Sequence, residues 1–281
     1  MKLLVFGQTG QVATELARRA PDAIYLSRNE ADLANPATCA KAIKDYRPDT
    51  VINAAAYTAV DRAEEEEDLA YRINAEAPDA IAKACAKHGT PLIQISTDYV
   101  FDGSGTQAWH PHDPPSPINA YGRTKLAGEE AVRDAGGTHA IVRTSWVFSA
   151  HGANFVKTML RLAQSRTELN VVNDQIGGPS HAGDIASACL TLSTTLREAP
   201  EKAGTYHYSG TPDVSWKEFA DEIFTRTGHP MSISGIPTNE WPTPAARPLN
   251  SRLDCSSLEV IFGVPRPDWR KAVDNVLKEL S

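Results

Sequence analysis

A chain of 281 residues and 30.4 kDa can bury a sizeable core, as one large α/β unit or as a main domain with a smaller attached lobe. With 41% hydrophobic and 22% charged residues it has the make-up of an ordinary globular protein. A net charge of -7 and a pI near 5.6 exclude general nucleic-acid binding, which needs a basic face, yet leave room for a small anion held by local arginines and backbone amides.

The four cysteines, Cys39, Cys85, Cys189 and Cys255, are scattered without a CxxC pair. They read as reduced thiols of a cytoplasmic protein, not as a disulfide frame or a zinc site. The apolar run from Met1 to Gly7 is too short for a signal peptide or a membrane span, so a first strand is expected and a membrane partner is not.

Taken in order, Leu3 to Phe6 form that strand and stop at Gly7-Gln8-Thr9-Gly10-Gln11-Val12-Ala13, after which Glu15 to Arg18 read as helix. Strand, glycine turn and helix is the arrangement in which backbone N–H groups hold a pyrophosphate. A second strand, Ala23 to Ser27, ends at Ser27-Arg28 with no acid at its tip, which favours NADPH while leaving NADH usable. Asp32-Leu33 follows, its carboxylate suited to an adenine amino group or to a helix cap. The third strand, Thr50 to Asn53, runs into Ala54-Ala55-Ala56, small residues against which a flat ligand can lie.

The acidic run Glu64 to Asp68 starts a long helical pattern through Lys87 and reads as a solvated face, with Asn74 turned inward. Pro91 to Thr97 is the fourth strand, and Thr97 at its C-terminal end is placed to hydrogen-bond a carbonyl. His110 and His112 read as surface loop. Tyr121-Gly122-Arg123-Thr124-Lys125 then opens a helix. Residues four apart share a helical face, so the Lys125 cation is expected to lower the Tyr121 pKa from its usual value of about 10 and make the phenol a proton donor to a forming oxyanion.

Beyond this point His139 to Phe148 reads as a strand leaving the core sheet, and substrate-specific structure begins near Ser149. Asn154-Phe155 opens a helix through Ala163, and Asp184 to Leu196 is a helix packing back on the main domain. Arg247 and Arg252, in a Pro-rich stretch of an acidic protein, suit capture of a diphosphate. The expected fold class is α/β: a Rossmann-type doubly wound parallel sheet with a smaller C-terminal α/β substrate-binding lobe. Residues 1–148 form the NADP-binding domain with the catalytic residues, and 149–281 mainly the substrate lobe, one helix (about 184–196) excepted.

The glycine turn, Thr97 and Tyr121-x-x-x-Lys125 together resemble the extended short-chain dehydrogenase/reductase superfamily. Longer runs narrow this: Asn53 to Asp61, Ser96 to Gly103, Tyr121 to Glu129, Arg143 to Val147 and Arg247 to Leu253 look like the dTDP-4-dehydrorhamnose reductase family over essentially the whole chain. The resemblance implies NADPH-dependent reduction of the 4-keto group of dTDP-4-dehydro-6-deoxy-L-mannose to dTDP-L-rhamnose. It implies Thr97, Tyr121 and Lys125 as the catalytic set. The cofactor would be held by Gly7, Gln8, Thr9, Gly10, Gln11, Val12, Ser27, Arg28, Asp32, Leu33, Ala54, Ala55 and Ala56, with Tyr121 and Lys125. Thr97, Asp98, Tyr99, Trp146, Asn154 and Arg247 would meet the dTDP-sugar.

Two other readings stand beside it: a reductase of another dTDP-4-keto sugar, and a non-catalytic NADP-binding regulatory subunit, which would not need the intact Thr97, Tyr121 and Lys125. Some relatives dimerise through a metal held by glutamates of both subunits. Glu15 is present for this, but Ser180 to Ile185 offers Gly183-Asp184 and no glutamate, so Mg2+ and a homodimer are left open.

Overall fold

Leu3–Phe6 (β1) is apolar at every position, and in the computed structural model, which describes residues 1–280, all four residues are buried because the strand lies between two helical layers. It is joined by Ile24–Leu26 (β2), Thr50–Asn53 (β3), Leu92–Thr97 (β4), His139–Thr144 (β5) and Gly204–His207 (β6). All neighbours pair parallel, in the order β6-β5-β4-β3-β1-β2. The main helices are Gln11–Arg19 (α1), Pro36–Tyr46 (α2), Ala77–His88 (α3), Ala120–Asp134 (α4), Phe155–Ala163 (α5), Ala182–Glu198 (α6), Trp216–Thr227 (α7) and Trp269–Leu280 (α8).

The period-two alternation of a strand sorts the layers. Leu3, Val5, Ile52 and Ile93 pack with Leu16 of α1 and Ile185 and Leu192 of α6. Leu4, Phe6, Val51 and Ile141 pack with Ile43 of α2, Ile81 of α3 and Val132 of α4. The sheet is therefore doubly wound. From β1 the chain passes to β2 on one side and then to β3 on the other, which opens a crevice at the C-terminal ends of β1 and β3.

Two expectations need correction. His139–Thr144 does not leave the core sheet. It lies between β4 and β6 with Ala140 to Thr144 buried, and only Val147–Phe148 departs, to pair with Ser180–His181. The helical pattern from Glu64 to Lys87 is also broken, into Val60–Ala63, Glu67–Tyr71, a π-helical turn over Arg72–Glu76, and α3. At that turn Asn74 is drawn inward: its Oδ1 accepts from the Tyr57 N–H at 2.9 Å, and its Nδ2 donates to Thr124 Oγ1 at 3.1 Å. The acids beside it are not merely solvated. Glu64 accepts from the Ala120 N–H at 2.8 Å, and Glu67 takes both ends of the Arg123 guanidinium, so the run clasps the start of α4.

A second core gathers α5, α7 and α8 around Phe219, Ile223, Trp269 and Val273, beside the parallel pair Glu168–Val172 and Ser232–Ile236. From between these elements α6 and β6 return to the main sheet. All four cysteines are free and buried. Among the described residues no helix is long and apolar enough to cross a membrane.

The π turn and α4 approach closely enough that a Cβ on Gly128 would lie 2.0 Å from the Asn74 carbonyl oxygen. Gly128→Ala is therefore expected to cost stability at the upper end of the ~1–3 kcal/mol typical of overpacking. Thermal denaturation would read this as a lowered midpoint, and an unchanged midpoint would mean that the two segments separate freely.

Candidate active site

The glycine turn lies at the crevice. Gly7 has φ +112, a backbone that side-chain-bearing residues rarely adopt, and a Cβ there would meet the Ala54 carbonyl carbon and oxygen at 3.4 Å. Gly10 is the N-cap of α1 and supplies no side-chain cap, so the first backbone N–H groups of the helix are left for a ligand. The residues present fit the pyrophosphate of a dinucleotide. Gln8 and Thr9 are exposed, whereas Val12 is part of the core and contributes only backbone. The Gln11 side chain is spent elsewhere: its Oε1 accepts from Ser149 and Asn154, both at 2.9 Å.

At the tip of β2 the structure adds what the sequence reading lacked. The chain turns over Ser27 to Ala31, and Glu30 folds back so that one carboxylate oxygen accepts from the Ser27 N–H at 2.9 Å and its hydroxyl at 2.8 Å. An acid therefore does stand at this tip, beside the exposed Arg28. Those two bonds hold the Glu30 carboxyl below its ordinary value. Asp32 accepts from the Ala34 N–H at 2.9 Å, and Leu33 is buried in the core. Ala54, Ala55 and Ala56 are partly buried after β3.

At the end of β4, Thr97 and Tyr121 come together. The Thr97 hydroxyl accepts from the Tyr99 N–H at 3.2 Å, donates to Asp98 Oδ1 at 3.1 Å, and lies close enough to the Tyr121 phenol to lower its pKa. The Tyr99 ring meets that of Tyr121 edge-on, centroids 5.6 Å apart. Asn119 caps α4 by accepting from the Gly122 N–H at 2.8 Å, which fixes where Tyr121 enters the helix.

Lys125 does not act on Tyr121 as the spacing suggested. Its ammonium is buried and donates to the Ile95 carbonyl at 2.7 Å. Burial raises the Tyr121 pKa, and only the Thr97 bond works the other way, so the phenol keeps its proton. Burial pushes Lys125 down to about 8, with Glu129 opposing the fall. Asp98 is driven up to about 6 by burial, and its Oδ2 has no partner. Burial likewise lifts Tyr99 to about 12.

A cavity of about 890 Å³ opens beside Tyr99 and continues past Asp61, Arg247, Phe155, Gln175 and Trp216. Arg247 donates from Nη2 to Asp61 at 2.7 Å, while its buried Nη1 is unpartnered. Arg252 is instead bonded to Asn250 Oδ1 at 3.0 Å. Two expected wall residues are displaced. Trp146, at φ +47, stacks on Trp216 with ring centroids 3.7 Å apart, and the indoles that line the cavity are those of Trp216 and Trp241. Asn154 is consumed by structure: Oδ1 caps α5 at the Lys157 N–H, and Nδ2 donates to Gln11 Oε1 and the carbonyls of Ser149 and His151.

Glu15 belongs to a separate cluster with His151 and Glu279. Its centre is taken by Arg18, whose Nη1 lies 3.3 Å from Glu15, 3.3 Å from His151 and 2.7 Å from Glu279. Burial alone would raise the Glu15 carboxyl, but Arg19 and Arg18 outweigh it and hold it below the ordinary range. The donor atoms of Glu15, His151 and Glu279 lie within 4.8 Å of one another, as a divalent metal would need, but here Arg18 supplies the cation they face.

Sequence reasoning missed Glu30, Trp216, Gln175 and the buried Glu129. Only Glu129 left a signal, four residues beyond Lys125 and so on the same side of α4.

A glycine turn at the switch point of a parallel sheet, with Thr97 and Tyr121 meeting beyond a neighbouring strand, defines a nicotinamide-nucleotide oxidoreductase of the short-chain dehydrogenase/reductase type. The family model described as RmlD substrate binding domain matches residues 1–281. A dTDP-4-dehydrorhamnose reductase of Sinorhizobium fredii is 44% identical, with 97% of this chain and 95% of that protein covered. A solved dTDP-4-dehydrorhamnose reductase of Clostridium acetobutylicum superposes with a TM-score of 0.93 at 37% identity, covering 100% of this chain and 99% of the other. One from Bacillus anthracis, solved in complex with NADP, gives 0.92 at 36% identity over 99% of this chain and 100% of its own. The chain belongs to the RmlD family of dTDP-4-dehydrorhamnose reductases.

Because Asn154 is a helix cap, Asn154→Ala is expected to cost about 1–2 kcal/mol of stability and leave the substrate KM unchanged. Chemical denaturation with parallel kinetics checks this, and a raised KM at full stability would return Asn154 to the substrate.

Proposed function

We infer that the chain reduces the 4-keto group of dTDP-4-dehydro-6-deoxy-L-mannose with NADPH, giving dTDP-L-rhamnose, the final step of dTDP-rhamnose synthesis. The carrying observation is the Thr97–Tyr121 contact beside a cavity that contains Arg247, in a chain alike over its full length to reductases of this name. When bound, NADPH supplies the hydride for C4 of the sugar. The first-turn amides of α1, with Gly7 and Gly10, would hold its pyrophosphate, and Arg28 would meet the 2′-phosphate. Glu30 would offer the ribose of NADH an acceptor, which supports use of NADH as well.

Tyr121 gives its proton to O4. Burial keeps that proton on the phenol at neutral pH until negative charge develops on the substrate oxygen, and the single Thr97 hydroxyl proton, turned from Asp98 to O4, positions that oxygen beside the phenol. Lys125, an ammonium through neutral pH, adds a positive potential beneath the site. Arg247 takes the diphosphate through its unpartnered Nη1, Trp216 gives the cavity a flat apolar wall, and Tyr99 and Asp98 border the sugar.

We divide the work accordingly: residues 1–148 bind NADPH and carry the chemistry, and 149–281 mainly hold the dTDP-sugar, α6 and β6 excepted. We place the protein in the cytoplasm, in keeping with its free, buried cysteines, and a homodimer without a bridging metal is compatible with the Arg18 arrangement.

Tyr121→Phe is expected to retain NADPH binding and lose about 10²–10⁴-fold in kcat, the usual worth of a general acid. Following NADPH absorbance with the purified protein and the keto sugar checks it, and near-normal turnover sinks the assignment. Arg247→Met is expected to raise KM for the sugar nucleotide at least about tenfold, as loss of a charged hydrogen bond should. An unmoved KM would put the diphosphate elsewhere.

A further inference from the structure

Three consecutive residues of β4 meet three successive turns of α4. The Ile95 carbonyl accepts from Lys125 at 2.7 Å, the Ser96 hydroxyl donates to Glu129 at 2.6 Å, and Thr97 contacts Tyr121. Of the three α4 residues on this seam Glu129 alone has no part in the reaction as described. It is also the most heavily invested: fully buried, it receives Arg143 Nε at 2.9 Å, Arg143 Nη2 at 2.7 Å and Arg133 Nη1 at 3.2 Å, besides Ser96. Burial works against its charge, but Arg143 and Ser96 together outweigh that and hold the carboxyl below its ordinary range.

We propose that Glu129 is a positioning residue for the reduction: it sets the height of Lys125 over β4 and supplies the carboxylate charge, one helical turn away, that keeps the lysine an ammonium. The inference rests on the reading of Thr97, Tyr121 and Lys125 given above.

The surroundings of Lys125 agree with this. On its own helix Tyr121 and Glu129 stand one turn to either side, and the titratable groups of the neighbouring elements are Asp98 and Tyr99 after β4, Arg143 on β5 and His207 on β6. Tyr121 and Tyr99 are neutral, since burial raises both. His207 is neutral too, pushed down to about 3 by burial and by Arg143. Asp98 is turned to Thr97. On the side of the segments over 67–76, α4 presents Arg123 to Glu67 and Thr124 to Asn74. Glu129 is the charged group that raises Lys125 against its desolvation.

The test is kcat against pH, from about pH 6 to about pH 10, with NADPH and the keto sugar. Lys125 is an ammonium below about 8 and loses its proton above it, so wild-type kcat is expected to fall as pH rises through that value. In Glu129→Gln this alkaline limb is expected to move to lower pH by about one unit or more. Should the lone Arg143 charge prevent folding, Glu129→Gln combined with Arg143→Met removes both buried charges, and a smaller downward shift is expected because a cation is lost with the anion. Ser96→Ala leaves every charge in place and removes one bond from the seam. It is expected to lower kcat several-fold with KM kept and the limb unmoved.

A purely structural role would lower activity equally at every pH. An alkaline limb at the wild-type position in the folded Glu129 variants would overturn the charge effect, and an unchanged kcat in Ser96→Ala would overturn the effect on height. Tyr121→Phe, measured alongside, separates the failures. If it is inactive while the limb stays put, only the role of Glu129 falls. If it is active, the catalytic reading falls with it.

Discussion

A carboxylate removed from water is tolerated only where hydrogen bonds and opposite charge replace its hydration shell, and Glu129 makes that demand at the centre of this protein. Its partners come from β4, β5 and α4 itself, so satisfying one side chain fixes the relative placement of two strands and a helix. Arg143 extends the constraint outward. It lies over the Phe101 ring, donates to the Pro111 carbonyl and faces His207, so the loop between β4 and α4 is tied to the same point. Thr97 and Tyr121 meet because their neighbours on the strand and the helix have little freedom to slide.

A second constraint operates at the other side of the sheet. Gly7, at φ +112 and placed so that a Cβ would stand only 3.4 Å from Ala54, takes a turn between β1 and β3 that a side-chain-bearing residue rarely adopts. The crevice is therefore formed by backbone, whereas the cavity beyond Tyr99 is formed by long side chains from loops and the second core. The two kinds of wall suit two kinds of ligand group: a pyrophosphate recognised by amides, and a sugar nucleotide recognised by a guanidinium and an aromatic face.

Features encoded within a few residues of chain were legible in the sequence. The strand–glycine–helix start, Thr97 at the end of β4, the Tyr121 to Lys125 helix and the opening of α5 at Asn154 all depend on local pattern, and all appear where the pattern put them. What was not legible depends on which side chain reaches a partner first. Lys125 had a phenol at helical spacing but found a bare carbonyl on β4. Asn154 lay near the expected pocket but was claimed by the N-terminus of α5. Trp146 and Trp216 are far apart in sequence and could not be known to stack, so the second indole beside the expected one went unseen. Glu30 lies past the tip of β2 in sequence and reaches it only through a turn.

The position of β6 has a bearing on how the chain comes to be folded. As synthesis proceeds, β1 to β5 can assemble once residue 144 is available, but the outer side of β5 then offers unpaired backbone groups until residue 207 arrives to cover it. Helix α6, which completes one layer of the sheet, is made in the same interval. The nucleotide-binding portion is thus not a unit that can mature ahead of the rest. A nascent or truncated chain that ends inside the second core would expose both an open strand edge and an uncovered apolar face, the two surfaces by which unfinished proteins find one another.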